Sequence, residues 1–114
     1  MALDLPTLRK LVALDVNDPL SRFALGRKLA EEATDARAPE LAEAAEHLLF
    51  ANEKSPQHLA TYHILGGVLL RLGRTDEARR VLTEGVRRVA SVGEGMGRDL
   101  GPAMQQMLDS LPSA

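Results

Sequence analysis

The chain has no cysteine and no tryptophan, two phenylalanines and one tyrosine. Without cysteine there is no disulfide framework, no thiolate nucleophile and no Cys-ligated metal. With aromatics at 3%, namely Phe23, Phe50 and Tyr62, the core must be built from Leu, Val and Ala. That palette suits close-packed helices. No apolar run approaches the roughly 18 residues of a membrane span. Met1 to Pro6 carries Asp4 and no cationic region ahead of an apolar stretch, which speaks against a signal peptide. A net charge of −2 gives no overall electrostatic pull toward nucleic acid or a membrane surface. The expectation is a soluble, cytoplasmic protein.

What is present is an apolar pattern. Hydrophobic residues make up 45% of 114 residues, enough for one domain with a modest core. They recur at three- and four-residue spacing, with no sustained alternation, which predicts an all-α chain. Caps and breakers mark six helices: 5–15, 19–34, 39–53, 56–72, 75–91 and 98–110. Asp18 precedes Pro19 as an N-cap, and Ser55-Pro56 is read as the same device. Pro39 marks another start, and Gly73-Arg74-Thr75 ends one helix and begins the next, with Asp76 and Glu77 in its first turn. Short connections make neighbouring helices antiparallel hairpins. The glycines of Gly93-Glu94-Gly95-Met96-Gly97 oppose helix formation and predict a mobile hinge. After it, Leu100, Met104, Met107, Leu108 and Leu111 form a helical stripe.

Two stretches share one template. Leu25-Gly26 is followed by Glu43-Ala44, Ala51 and Pro56; Leu65-Gly66 is followed by Glu77-Ala78 and Gly85. Small residues let paired helices approach closely, and large ones fill the spaces between. In this alternation residues 19 to 90 resemble the tetratricopeptide repeat, a helix pair of about 34 residues. The first copy supplies Leu25, Gly26, Leu29, Ala44, Leu48, Ala51 and Pro56. The second supplies Tyr62, Leu65, Gly66, Leu69, Gly73, Ala78, Leu82 and Gly85. The first copy carries about six extra residues near Glu31–Pro39, and Arg22 stands where the family prefers an aromatic. Ala90 stands where the second copy would have its closing proline. The resemblance implies a right-handed α-α superhelix. It would form a single domain: an N-terminal half-repeat (5–15), a divergent repeat (19–54), a repeat (56–91) and a C-terminal capping helix (98–110).

In that family the first helix of each repeat lines a concave groove. Carried across by position, the groove takes Leu20, Phe23, Arg27, Ala30 and Glu31 from the first copy. The second copy adds Ala60, His63, Gly67, Leu70 and Arg71. Phe23, Arg27, Glu31, His63, Leu70 and Arg71 are the candidate partner-binding residues: Phe23 as an apolar anchor, Arg27 and Arg71 as carboxylate or phosphate partners. Coverage of the groove by the terminal helix is the competing arrangement. One branch of the family clamps a C-terminal carboxylate with Lys and Asn on these helices; His63 and Gly67 at such places depart from that pattern.

Other chemistry finds little support. Acidic residues dominate between Leu29 and Glu53, and arginines from Arg71 to Arg98. The spacings Glu77–Arg80, Arg80–Glu84 and Glu84–Arg88 are those of surface helix pairs. Base-stacking aromatics are missing from the arginine-rich stretch. His47, His58 and His63 lack metal-ligand spacing. The glycine cluster follows a helix, not a strand, and lacks the Gly-Lys-Ser/Thr ending of a phosphate loop. No catalytic constellation is spaced for chemistry. The expectation is a non-enzymatic module with no cofactor or metal, binding a protein or peptide, without nucleic-acid or membrane partners. The alternatives are a self-associating structural protein, such as a homo-dimer, and a regulatory subunit of a larger signalling complex.

Overall fold

The computed structural model describes residues 3–92 and 99–112. It contains six α-helices: α1 (Leu5–Leu14), α2 (Pro19–Glu32), α3 (Pro39–Lys54), α4 (Leu59–Arg71), α5 (Thr75–Val92) and α6 (Leu100–Asp109). Among the described residues there is no strand, and the chain is all-α. The expected hinge at Gly93–Gly97 lies outside the described residues. The chain divides into two compact units, Met1–Pro56 and Gln57–Ala114.

In the first unit, α2 packs on α3 and on α1. Asp4 caps α1, accepting the Thr7 N–H at 3.0 Å. Asp18 caps α2, accepting from Leu20 N–H at 3.2 Å and from the Ser21 hydroxyl at 2.6 Å, with Pro19 at the first helical position. Gly26 makes the α2–α3 contact. A Cβ there would stand 2.8 Å from Leu48 Cγ and 3.2 Å from the Ala44 carbonyl oxygen. Near the other end of the hairpin, Arg22 meets Phe50. Residue numbers rise along α2 as they fall along α3, so the pair is antiparallel. Leu25, Leu29, Leu41 and Leu48 are fully buried in this unit, each stabilising it by about 1.5–3 kcal/mol. The extra residues of the first copy fall between α2 and α3. There Asp35 turns the chain by accepting the Arg37 N–H at 2.7 Å.

In the second unit, α4, α5 and α6 pack on one another. Gly66 lies against Leu82, and Gly85 lies against Tyr62 and Met104, so α4 and α5 are antiparallel. Gly101 lies against Val89, which makes α5 and α6 antiparallel as well. Tyr62, Leu82 and Met104 form the core cluster, with Leu70, Val81, Val86, Val89, Leu100, Met107 and Leu108 packed around it. Helix α4 ends in a Schellman motif. Gly73 adopts φ 79°, its N–H bonds to Leu70 O at 3.0 Å, and the Arg74 N–H bonds to Leu69 O at 2.9 Å.

Two helix starts differ from the expectation: α6 begins at Leu100 rather than at residue 98, with Asp99 in a turn, and α4 starts later than expected. α4 begins at Leu59, not Pro56, and Ser55-Pro56 is not its cap. Pro56 and Gln57 form a turn, and His58 takes the N-cap position. The fixed φ of proline serves the turn rather than the first helical turn. His58 Nδ1 lies 2.7 Å from the Thr61 hydroxyl, and Thr61 is 1% exposed. The pair Asp18–Ser21 and the pair His58–Thr61 are 40 residues apart, as are Gly26 and Gly66.

Candidate binding surface

The six candidate residues fall into two sets, one on each unit. Phe23, Arg27 and Glu31 belong to α2. Phe23 is only 9% exposed, so it is a core residue and not an open anchor for a partner. The Arg27 guanidinium lies 5.8 Å from the Phe23 ring centroid, and its Nε is 3.8 Å from Glu31 Oε1. Arg27 and Glu31 are both exposed. Their contact has the length and spacing of a surface helix pair, which leaves both groups hydrated. Leu20 is exposed on the same helix, and Ala30 is buried.

His63, Leu70 and Arg71 belong to α4. His63 is half-buried and Arg71 is exposed. Leu70 is half-buried and packs on the core cluster of its own unit. A Cβ on Gly67 would lie 3.6 Å from the Met107 methyl carbon of α6. The Gly67 position of α4 therefore faces the last helix. That helix contributes Met104 as a fully buried side chain. The outward-facing chemistry among the six candidates reduces to two arginines, one glutamate and the edge of one imidazole.

Three clusters were not foreseen from the sequence. Arg22, noted as standing in place of an aromatic, lays its guanidinium 4.0 Å from the Phe50 centroid and donates to Val16 O at 2.9 Å. A planar guanidinium stacks much as a ring does, and this one also ties down the α1–α2 turn. Arg9 of α1 grips Glu43 of α3 with two hydrogen bonds, 2.6 and 3.0 Å long. His47 Nε2 lies 3.2 Å from the same carboxylate. The Arg9 bond holds the Glu43 carboxyl below its usual range against a partial desolvation penalty, with His47 adding to the effect. In the second unit, Arg79 donates to Pro112 O at 2.8 Å. Spacing along one helix cannot reveal pairs so far apart in sequence.

Part of the charge of the arginine-rich helix α5 is neutralised within the helix. Arg87 and Arg88 both bond Glu84, whose carboxyl is lowered to about 2, first by Arg87 and then by Arg88. Glu77 is gripped by Arg74 at 2.8 and 2.7 Å rather than by Arg80 as the spacing suggested, because Arg74 approaches from the turn before the helix. Among the described residues no group of histidine and acidic side chains is placed to hold a metal. No helix among the described residues is long and apolar enough to cross a membrane. Comparison of the chain with protein-family models, with characterised proteins and with solved structures gives no match.

Proposed function

We propose that this chain is a non-enzymatic, tetratricopeptide-like interaction module in which α2–α3 and α4–α5 are successive repeats of a right-handed superhelix. The observation that carries this is a doubled construction. Gly26 against Leu48 and Gly66 against Leu82 are the same helix-pairing device, the glycines 40 residues apart and the leucines 34 because of the extra residues between α2 and α3. The polar contacts at the two helix starts, Asp18–Ser21 and His58–Thr61, repeat at the 40-residue interval. Repeated helix pairs characteristically serve as surfaces rather than as catalysts. The partner is a protein segment with carboxylates and apolar side chains, to which α2 of the first unit offers Arg27 with Glu31, and α4 of the second offers Arg71 and His63.

The test is capture from lysate by the purified chain and by the Arg27→Ala/Arg71→Ala variant in parallel. A protein retained by the first and lost from the second supports the assignment. Equal retention by both removes these helices as the binding surface.

A further inference from the structure

Two glycines stand side by side in α4, and packing accounts for one of them. Gly66 is required by Leu82, whose Cγ would lie 2.6 Å from a Cβ there. Gly67 is not required in this way. Among the described residues, only the Met107 methyl carbon comes within 4 Å of a Cβ at that position, at an ordinary contact distance of 3.6 Å. A glycine inside a helix is less stable than an alanine, so α4 gives up stability at Gly67 that packing does not demand. What the glycine leaves is a notch over bare backbone, closed on one side by Met107 of α6. Gly67 and Met107 are both partly exposed, whereas Met104, one turn earlier, is fully buried. The unbranched Met107 thioether can therefore swing aside while Met104 keeps α6 seated.

We propose that this notch is the apolar subsite of the α4 surface, and that its ligand is a leucine-sized side chain of an extended protein segment that carries a carboxylate for Arg71 two residues away. The setting selects that chemistry. His63, Gly67 and Arg71 are four residues apart, so they lie on one side of α4, with the notch between the imidazole and the guanidinium. Gly67 and Arg71 are separated by about 6 Å along the helix axis. Side chains two residues apart in an extended segment point the same way and stand roughly 7 Å apart, which matches that separation. Between Leu59 and Arg71, α4 contains no acidic residue, in contrast to α2, α3 and α5. An anion brought to this side meets Arg71 without repulsion from α4 itself. The apolar part of the ligand takes the place of the Met107 methyl group. The first unit has no equivalent. Forty residues earlier, the places of His63, Gly67 and Arg71 are held by Phe23, Arg27 and Glu31, with a long side chain instead of the notch and an acid instead of the cation. The inference rests on the binding role proposed above and narrows it to α4.

Methionine-methyl NMR on the intact chain tests it, with the Met107 signal assigned by its loss in Met107→Leu. The probes are two tripeptides blocked at both ends, leucyl-alanyl-aspartate and aspartyl-alanyl-leucine, which present the pair of side chains in either direction. Their asparagine counterparts are the uncharged controls. At least one acidic peptide is expected to shift the Met107 methyl signal saturably, with a dissociation constant on the order of millimolar for so small a ligand. Its asparagine counterpart should bind about fivefold more weakly. Arg71→Ala, a change at an exposed residue, should bring the acidic peptide down to the level of its control. Gly67→Leu fills the notch and should abolish the saturable shift. If that variant does not fold, Gly67→Ala, which meets only an ordinary contact, is measured in its place and should weaken the binding. No saturable shift with either acidic peptide overturns the proposal. Equal binding of acidic and uncharged peptides overturns it too, as does binding that survives the filled notch. Loss of a lysate partner from Arg27→Ala/Arg71→Ala would still stand after such a result, so the subsite and the wider binding role fail separately.

Discussion

Leu82 of α5 occupies the space that a side chain at Gly66 of α4 would need. A Cβ built on Gly66 would stand 2.6 Å from Leu82 Cγ, a branch point of a side chain that is 0% exposed, so room is made only by displacing packed neighbours. One residue later, a Cβ on Gly67 would meet only the Met107 methyl carbon, at 3.6 Å. The same substitution at adjacent positions should therefore have opposite signs. Gly66→Ala gains up to about 1 kcal/mol of helix propensity but incurs an overpacking cost of about 1–3 kcal/mol, so its melting temperature should fall. Gly67→Ala gains the same propensity against an ordinary van der Waals contact, and its melting temperature should hold or rise. Thermal melts of the two variants check this. Equal destabilisation by both would show that the α4–α5 approach is not set by Gly66.

Much of the helical plan was legible in the sequence because its signals are local. Pro19 and Pro39 begin their helices, and Gly73 closes α4 in the left-handed conformation that favours glycine. Ser55-Pro56 imitates Asp18-Pro19, so the sequence places the start of α4 three residues before Leu59. The repeat frame itself carried the correction: 40 residues before Pro56 stands Val16, in the turn, and Asp18 corresponds to His58. The candidate site was less legible. Repeat register assigns positions to a helix face, but it does not say what covers that face. Phe23 turned out to be buried, and Leu70 is engaged by the core that α6 helps to build.

Met104 anchors α6 in the second unit. It is fully buried and packs against Gly85 of α5 in one cluster with Tyr62 and Leu82. Met104→Ala leaves a cavity and should cost about 2–5 kcal/mol. Gln105→Ala, on the exposed side of the same helix, should change stability little. Urea unfolding of both variants is the measurement. A loss under about 1 kcal/mol for Met104→Ala would mean that α6 contributes little to the unit.

Glu43 gives the first unit a defined response to acid. Its carboxyl is held below the ordinary value of 4.5 chiefly by Arg9. A depressed folded-state pKa means that the stabilisation is complete above about pH 4.5 and is lost as pH falls through the folded value. The pair is partly exposed, with side chains at 48% and 32%, so its worth after solvent screening is at most about 1 kcal/mol. Arg9→Ala should lower stability by that amount at pH 7 and make stability less sensitive to pH below 4.5. Melting temperatures from pH 3 to pH 7 would show the two curves converging in acid. Parallel curves would mean that Arg9 does not set the Glu43 pKa.

Binding through α2 and α4 makes a prediction that depends on choosing residues that can be removed without damage. Phe23→Ala is a poor probe. At 9% exposure, Phe23 is part of the interior, and its truncation should cost about 3–5 kcal/mol, mixing unfolding with lost binding. Arg27 and Arg71 are exposed, and removing either should alter stability by roughly 0.5 kcal/mol or less. A partner that presents a carboxylate to these guanidiniums should bind more weakly as salt is raised, because exposed charges are screened beyond about 8–10 Å at physiological ionic strength. Arg27→Ala/Arg71→Ala should lower affinity by about tenfold and flatten the salt dependence, with the melting temperature unchanged. Titration of the captured partner at low and high salt, against both proteins, measures both effects. A double variant with full affinity but an altered salt slope would assign the arginines to long-range steering instead of contact. A double variant identical to the parent in affinity and slope would move the partner off these two helices, with exposed Arg80 of α5 as the next cation to replace.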